Sequence, residues 1–296
     1  MSSEQTELAT LLGDYPVTAA VKQGDLASSA VRFAFADVER PATAFKRVVR
    51  DLEFDVAELA LMTFLVARAH GKPLVLLPAV VLARFQHPYL VYNTERGPLE
   101  PQDLAGKRVG IRAYSVTTST WIRGILAEDF GVAPESVQWI TFEEPHVAEF
   151  RDPPNVRRAP EGRDVVQMLL AGEIDAAVLA DAKLPDPRLA ALIPDAMAAA
   201  RAWHRRTGAI QINHMVTVRT ALSREHPDAV REVYRLLAES RARVATGRDV
   251  DLNPFGLDAN RRNLEVAIAY AHAQALIPRR FDVDELFDDV TRGLGS

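Results

Sequence analysis

Short hydrophobic runs alternate with amphipathic segments along the chain, and this alternation predicts an α/β protein. Residues 31–36 read as a strand, since large and small residues alternate over a short span. Residues 42–52 read as a helix, and residues 55–58 read as a short strand. Residues 61–70 read as a helix that Gly71 ends, and residues 74–77 read as the buried strand that follows. Strand, helix and strand in this order predict parallel pairing, with helices covering the sheet.

A second series of the same kind begins at Asp103. A polar turn leads into a strand over residues 108–111, and a helix from about 116 to 130 precedes a strand over 137–140. The proline-rich, charged stretch 143–162 reads as an irregular surface excursion.

The two series predict two α/β lobes, of which the first is discontinuous. Residues 1–101 and 213–296 form the first predicted lobe, and residues 102–212 form the second. Residues 215–218 read as the strand that returns to the first lobe, and residues 227–244 read as an amphipathic helix after it.

Composition narrows the class of protein. The chain has 296 residues, of which 48% are hydrophobic, so it can bury a sizeable core. A formal net charge of -5 argues against a general nucleic-acid binder, and the absence of cysteine excludes disulfides, thiolate metal sites and a cysteine nucleophile. The first residues lack the features of a secretory signal peptide, and no apolar stretch approaches the ~20 residues of a membrane-spanning helix. We therefore expect a cytoplasmic protein without membrane or nucleic-acid partners, and a homo-oligomer is left open.

Three clusters of polar and ionisable residues fall where a strand is expected to give way to a loop. They are residues 13–18, 54–59 and 84–87. We expect them at the rim of one polar cleft, because α/β sheets bind ligands at the carboxyl ends of their strands. In the third cluster, Arg84 suits a carboxylate and His87 suits proton transfer. A surface arginine and a loop histidine are the alternative reading.

Two further ionisable residues have two readings each. Glu58 lies among apolar neighbours, so it is either paired in a core or lines a cleft. His214 lies at the predicted return to the first lobe, where it either faces the cleft or is a structural histidine at a hinge.

A run of hydroxyl side chains, residues 115–120, lies where a helix is expected to begin. The first turn of a helix presents unpaired N–H groups and partial positive charge, so this segment could hold an anion. The alternative is that Ser115 or Thr117 only caps the helix. No histidine pair has the spacing of a helical zinc site and no nucleotide-binding fingerprint occurs, so neither a metal nor a cofactor is implied.

The three clusters resemble, in order and approximate spacing, the 4,5-dihydroxyphthalate decarboxylase family, whose members carry patterns such as G-D-Y-D-x-T, F-D-x-x-E-L-S and S-R-x-F-R-H. A family pattern of Tyr-x-x-Thr followed by Trp-x-Arg-Gly is matched by Tyr114, Thr117, Trp121, Arg123 and Gly124. The resemblance covers most of the chain. This sequence departs from it at three positions, Ala60 and Ala83 for serines and Gln86 for a second arginine.

The resemblance implies a decarboxylase of a hydroxylated aromatic acid that uses no organic cofactor. The turn before residue 108 and residues 172–179 are also similar to type II periplasmic-binding-protein folds, which implies two lobes with a ligand cleft between them. On this reading the substrate-binding residues are Arg84, Arg123, Thr117, Thr118, Tyr15 and Tyr114. The arginines would bind the carboxylate that is retained, because clamping the departing one would stabilise the ground state. His87 or His214 would donate the proton, and Glu58 would partner a ring hydroxyl or a histidine.

Two other functions share the fold. One is a binding protein of an ABC transporter for a small organic anion of the nitrate, sulfonate or taurine type, which carries similar Gly-Glu-Ile-Asp-Ala patterns. The other is an enzyme for a different small anion, as in menaquinone-pathway enzymes of related architecture. The acid and base groups near Arg84 exceed what a passive anion site needs, which favours the decarboxylase.

Overall fold

The computed structural model describes residues 5–181, 184–244 and 249–295. The outer ends of the first predicted lobe, residues 1–4 and 296, lie outside the described residues. The chain divides into two compact units. Of the described residues, the first unit takes those within Met1–Arg84, Ile212–Ile268 and Arg279–Ser296, and the second takes those within Phe85–Gln211 and Ala269–Pro278.

Strands and helices alternate along the chain. The strands are β1 (Thr6–Leu11), β2 (Val31–Phe35), β3 (Val56–Ala60), β4 (Leu74–Ala83), β5 (Leu90–Asn93), β6 (Arg108–Ile111), β7 (Gln138–Thr141), β8 (Val156–Arg158), β9 (Ala176–Val178), β10 (Leu189–Ala191) and β11 (Ile212–Arg219). The α-helices are α1 (Ala19–Lys22), α2 (Leu61–Ala69), α3 (Thr117–Phe130), α4 (Val165–Ala171), α5 (Ala196–Thr207), α6 (Thr220–Glu225), α7 (Pro227–Ala242), α8 (Leu257–Ala273) and α9 (Asp289–Arg292). Short 3₁₀ turns occur at Pro41–Ala44, His87–Tyr89, Thr94–Arg96, Pro101–Leu104, Pro134–Ser136 and Val283–Leu286, and a π-helical turn occurs at Arg47–Asp51.

The first unit is built on a five-stranded sheet with the order β2-β1-β3-β11-β4. β1 pairs in parallel with β2 and β3, whereas β11 pairs antiparallel with both β3 and β4. The prediction of purely parallel pairing is therefore wrong for this sheet, because the returning strand inserts between β3 and β4. The predicted strand at residues 74–77 is also longer, since the apolar run continues to Ala83.

Helices bury the sheet of the first unit. β4 is buried along nearly its whole length, as expected for a strand that is covered on both faces. Val75, Leu77 and Val81 of β4 join a core with Val230 and Val233 of α7. Helix α2 contacts β3, β4 and β11. The strands that carry or precede the predicted polar clusters are therefore packed into the core of the unit.

The second unit is built on a six-stranded mixed sheet with the order β10-β5-β9-β6-β7-β8. β6 pairs in parallel with β7 and β9, while β5 pairs antiparallel with β9 and β10. Its core includes Leu169 of α4, Ile174 and Ala177. Helix α3 ends as predicted at Gly131, which takes the left-handed conformation that ends many helices.

One stretch differs from its prediction. Residues 143–162 were expected to be irregular, but they contain β8, which extends the sheet by pairing in parallel with β7. Val147 and Phe150 are buried within the same stretch. Proline and charge dominate this segment, and they concealed its three-residue strand. Among the described residues, none of the helices has the length and apolar character that would let it cross a membrane.

Candidate active site

The first unit contains a carboxylate that is fully enclosed and accepts several hydrogen bonds. Glu58 lies on β3 with 0% of its surface exposed. Its Oε1 accepts a hydrogen bond from the Tyr15 hydroxyl at 2.8 Å, and His214 Nδ1 lies 2.8 Å from the same oxygen. Its Oε2 accepts one from the backbone N–H of Gly13. These bonds replace the water that a buried carboxylate loses, so the side chain is held in one orientation.

The loop after β1 is shaped to bring two of these donors to Glu58. A Cβ atom at Gly13 would lie only 2.7 Å from the ring of Tyr15, so only glycine allows the ring to pack against the backbone there. The Thr18 hydroxyl donates to the Gly13 carbonyl at 2.7 Å and accepts from the Tyr15 N–H at 3.1 Å, which closes the loop. The polar residues of the first cluster therefore fix the shape of this loop, and they also supply hydrogen bonds to Glu58.

His214 is presented by an irregular stretch of β11. The pairing of β11 with β4 shifts register on both sides of His214, and such bulges redirect side chains at sheet edges and active sites. The imidazole packs edge-on against Phe45, with ring centroids 5.1 Å apart, and its side chain is 14% exposed. A carboxylate accepts hydrogen bonds, so Nδ1 donates to Glu58 and Nε2 is the ring nitrogen that is left for another partner. This arrangement suits an acid–base residue.

Tyr15 is a donor and not a base at this site. Burial raises the pKa of its hydroxyl far above the usual range, and the nearby charge and hydrogen bond of Glu58 raise this pKa further. Arg84, directly after β4, acts in the opposite direction on the same pKa, which places its charge near the phenol. The first unit therefore groups a cation, a protonated phenol and a carboxylate-bound imidazole.

In the second unit, Arg123 is buried beneath the start of α3. Its Nη2 donates to the Tyr114 carbonyl at 2.7 Å and to the Thr120 hydroxyl at 3.1 Å, and its Nε donates to Gln274 Oε1 at 2.6 Å. The guanidinium carbon lies 3.8 Å from the centre of the Tyr114 ring. Arg123 is 0% exposed and Tyr114 is buried. Protein groups already enclose both side chains. We therefore do not retain the prediction that Arg123 and Tyr114 contact a substrate directly.

The hydroxyl run at the start of α3 is also buried. The N-cap residue is Val116, which offers no side-chain oxygen, so the prediction that Ser115 or Thr117 caps the helix is wrong. The N-cap is the last extended residue before a helix, and here the backbone stays extended through Val116, one residue beyond Ser115. Thr117 and Thr118 both lie in the first turn, where backbone N–H groups are oriented outward along the helix axis. They remain candidates for anion binding.

His87 lies in a different environment from His214. It sits in a 3₁₀ turn, is 0% exposed, and packs near Trp203 with ring centroids 6.4 Å apart. Burial lowers its pKa to about 4, and the charge of Arg206 contributes in the same direction. His87 is therefore neutral at neutral pH, which argues against its predicted role as proton donor.

The chain resembles two curated proteins along much of its length. The 4,5-dihydroxyphthalate decarboxylase of Comamonas testosteroni is 28% identical over 95% of this chain and 96% of its own. The 4,5-dihydroxyphthalate decarboxylase of Pseudomonas putida is 30% identical over 182 residues, which make up 57% of this chain and 70% of that protein. The chain belongs to the 4,5-dihydroxyphthalate decarboxylase family. No family model matches it.

The fold of this family member is that of type II periplasmic binding proteins. The periplasmic aliphatic sulphonate binding protein of Escherichia coli matches with a TM-score of 0.63 and 13% identity, covering 100% of this chain and 95% of its own. The alkanesulfonate-binding protein of Xanthomonas axonopodis pv. citri matches with a TM-score of 0.56 and 13% identity, covering 97% of this chain and 99% of its own. The predicted fold class is confirmed.

Two positions where this decarboxylase-family chain departs from the family pattern adjoin the described clusters. Ala60 pairs directly opposite His214 across β3 and β11. Gln86 is buried, and its backbone N–H donates to the side chain of Gln211. Neither replacement adds an ionisable group at these places.

Sequence reasoning missed Phe45 and Gln274 in this family member. Phe45 lies in a segment that was read only as a helix, and Gln274 follows a helix without any motif around it. Neither had a local signal, because each acquires its contact from a residue more than a hundred positions away, Phe45 from His214 and Gln274 from Arg123.

Proposed function

We propose that the chain catalyses decarboxylation of a hydroxylated aromatic carboxylic acid of the 4,5-dihydroxyphthalate type. The observation that carries this proposal is the cluster of Glu58, Tyr15 and His214, in which one buried carboxylate orients an imidazole beside a phenol that stays protonated. The names of the relatives from Comamonas testosteroni and Pseudomonas putida support the same chemistry.

His214 is assigned the proton transfer. A ring hydroxyl supplies electron density, His214 donates a proton from Nε2 to the ring carbon that carries the departing carboxylate, and the new C–H bond forms. The bond from that carbon to the carboxylate then breaks, its electron pair returns to the ring, and carbon dioxide leaves. A proton from the solvent then restores the doubly protonated imidazole that donates in the next turnover. Glu58 holds the imidazole in one orientation through its contact with Nδ1.

Arg84 is assigned to the carboxylate that the substrate retains. An arginine on the departing carboxylate would stabilise a charge that disappears during the reaction, which slows it, so a retained anionic group is the better partner. Thr117 and Thr118, in the first turn of α3, are assigned to an anionic substrate group as well. Tyr15 is assigned to orienting Glu58 and His214.

The rival function is binding without catalysis, and the similarity of the fold to sulphonate-binding proteins favours it. The names of the relatives, and an oriented imidazole that anion binding does not require, favour decarboxylation. The test is incubation of the purified protein with 4,5-dihydroxyphthalate, with carbon dioxide and the ring product both measured. One carbon dioxide per ring product is expected. Binding of the acid without any carbon dioxide would favour the transport-type protein.

Two finer assignments accompany this proposal. A cytoplasmic location stays a prediction, to be checked by fractionation of cells that express the full chain. A homo-oligomer is left open and is checked by light scattering of the purified protein.

A further inference from the structure

Arg123 is a buried cation whose hydrogen-bond partners are all neutral within the described parts of the chain. Its acceptors are the Tyr114 carbonyl, the Thr120 hydroxyl and the amide oxygen of Gln274. The charge of Asp152 raises the pKa of Arg123, but among the described residues Asp152 forms no ion pair with it. Its Nη1 is enclosed and has no hydrogen-bond partner among them. Proteins rarely bury a charge in this way, because the lost hydration is not repaid by a counter-charge.

The guanidinium nevertheless remains charged at neutral pH. Burial lowers its pKa to about 10, which still leaves it protonated. Two aromatic rings stabilise the cation by cation–π contacts. The guanidinium carbon lies 3.8 Å from the ring centre of Tyr114 and 5.4 Å from that of Trp139. The second unit therefore keeps a positive charge in its interior that no described carboxylate neutralises by an ion pair.

This charge lies beside the start of α3. Tyr114 stands two residues before the N-cap Val116, and Thr120 stands in the first turn and a half of the 14-residue helix. Gln274 ties the two together, since its Nε2 donates to the Thr120 carbonyl at 2.9 Å. The partial positive charge of the helix start and the full charge of Arg123 therefore act in the same region.

We propose that Arg123 is a positioning residue, which fixes the segment 114–116 and holds an uncompensated positive charge at the start of α3, so that a carboxylate of the substrate bound there supplies the missing counter-charge. This inference rests on the proposed function for its substrate class. Arg123 itself does not touch the ligand, because its side chain is fully enclosed. It acts through the helix start and through the electrostatic potential there.

The decisive variant is Gln274→Glu. Glutamate has the shape of glutamine and can still accept from Arg123 Nε. It loses the donor to the Thr120 carbonyl, and it places a counter-charge directly on the guanidinium. If the free charge of Arg123 serves the ligand, the affinity for phthalate falls at least tenfold, while the unfolding midpoint stays the same or rises. If Arg123 had only a structural role, Gln274→Glu would not lower the affinity for phthalate while leaving the unfolding midpoint the same or higher.

Two controls separate charge from geometry. Gln274→Met removes both side-chain hydrogen bonds of Gln274 without adding a charge, and its affinity for phthalate is expected to fall less than that of Gln274→Glu. Gln138→Glu makes the same change of charge at an exposed position on β7 and is expected to leave affinity unchanged. Should Gln274→Glu not fold, Arg123→Lys is compared with Arg123→Met, and the lysine variant is expected to bind phthalate more tightly.

The readouts keep this inference apart from the proposed function. Phthalate affinity is measured by calorimetry, which requires no turnover, and carbon dioxide release from 4,5-dihydroxyphthalate is measured separately. A wild-type protein that binds phthalate but releases no carbon dioxide contradicts the decarboxylase alone. Equal phthalate affinity in wild-type protein and Gln274→Glu, an equal loss in Gln274→Met and Gln274→Glu, or no phthalate binding by wild-type protein overturns the role of Arg123.

Discussion

Tyr15 and His214 share a single oxygen atom, Oε1 of Glu58, and each lies 2.8 Å from it. The two donors come from the loop after β1 and from β11, so one carboxylate links the beginning of the first unit to the strand that returns to it. Because both are held by the same atom, they are close neighbours. On the proposed function, we expect them to act on the same part of a substrate, and not on opposite ends of an aromatic ring.

The first prediction concerns turnover. His214→Ala is expected to lower kcat by about 100-fold with little change in KM, because general acid–base catalysis contributes at least that much. Glu58→Gln is also expected to lower kcat, since an amide nitrogen in place of one carboxylate oxygen cannot accept the hydrogen bonds that orient His214, Tyr15 and the Gly13 N–H. Steady-state kinetics with 4,5-dihydroxyphthalate measure both.

A matched control uses His272, an exposed histidine near the end of α8. His272→Ala is expected to retain wild-type kinetics. A His214→Ala protein with unchanged kcat, or one whose defect is entirely in KM, would remove His214 from proton transfer.

The second prediction concerns affinity. Arg84→Ala is expected to weaken substrate binding by about 1.5–3 kcal/mol, which is the typical size of a charge-assisted hydrogen bond. Arg84→Lys is expected to recover part of this loss, since lysine keeps the charge but not the planar fork. KM and the affinity for phthalate are the measurements.

Arg32→Ala is the control for this prediction, because Arg32 is an exposed arginine of the same unit that pairs with Glu7. It is expected to leave affinity unchanged. An equal loss in the two alanine variants would show a general effect of charge and not a specific contact of Arg84.

The third prediction concerns acid stability. The pKa of His87 is about 4 in the folded protein against 6.5 for the free side chain, so the unfolded chain binds an extra proton between these values. Stability is therefore complete above pH 6.5 and falls as the pH drops toward 4, by up to about 3 kcal/mol from this residue. Urea unfolding at pH 7 and pH 5 is expected to show a smaller difference for His87→Gln than for wild-type protein.

The control for this prediction is His272→Gln, which is expected to leave the pH dependence of wild-type protein unchanged. A His87→Gln protein with the full wild-type difference between pH 7 and pH 5 would show that His87 is not buried as a neutral group.

The fourth prediction concerns the glycine of the Trp-x-Arg-Gly pattern. A Cβ atom at Gly124 would lie 2.1 Å from ring carbons of Tyr270, which donates a hydrogen bond to Glu128 and accepts one from Trp203. Gly124→Ala is expected to destabilise the protein by about 1–3 kcal/mol, because the ring has to shift. Chemical unfolding measures the loss.

Tyr270→Leu in combination with Gly124→Ala is the informative double variant. The shorter side chain leaves room for the new methyl group, so the combined loss is expected to be smaller than the sum of the two single losses. Additive losses would show that contact with the Tyr270 ring is not what requires glycine at this position.

Local signals made much of the fold predictable. Gly71 and Gly131 mark helix ends because each takes a left-handed conformation that glycine adopts freely. The short apolar runs at residues 31–36, 74–77 and 108–111 were read as strands. Insertion of β11 between β3 and β4 had no such signal. Pairing between distant strands depends on the whole sheet, and the sequence pattern of a buried strand is the same in either direction.

The site was predictable only in part, for the same reason. Glu58 and His214 were recognised as candidates, but their contact joins residues 156 positions apart. The burial of Arg123 depends on Gln274, which lies 151 positions away and has no motif around it. A family pattern identified Arg123 but could not show whether the side chain faces a ligand or the interior.

The strand that carries His214 also completes the sheet of the first unit, because β11 lies between β3 and β4. While the ribosome is still making residues 85–211, β4 is already present but the strand that joins it to β3 does not yet exist. Both strands then expose unpaired edges, which are prone to aggregation. Truncated chains that end before β11 are therefore expected to need chaperones, and the nascent protein gains its acid–base histidine in the same step that closes its sheet.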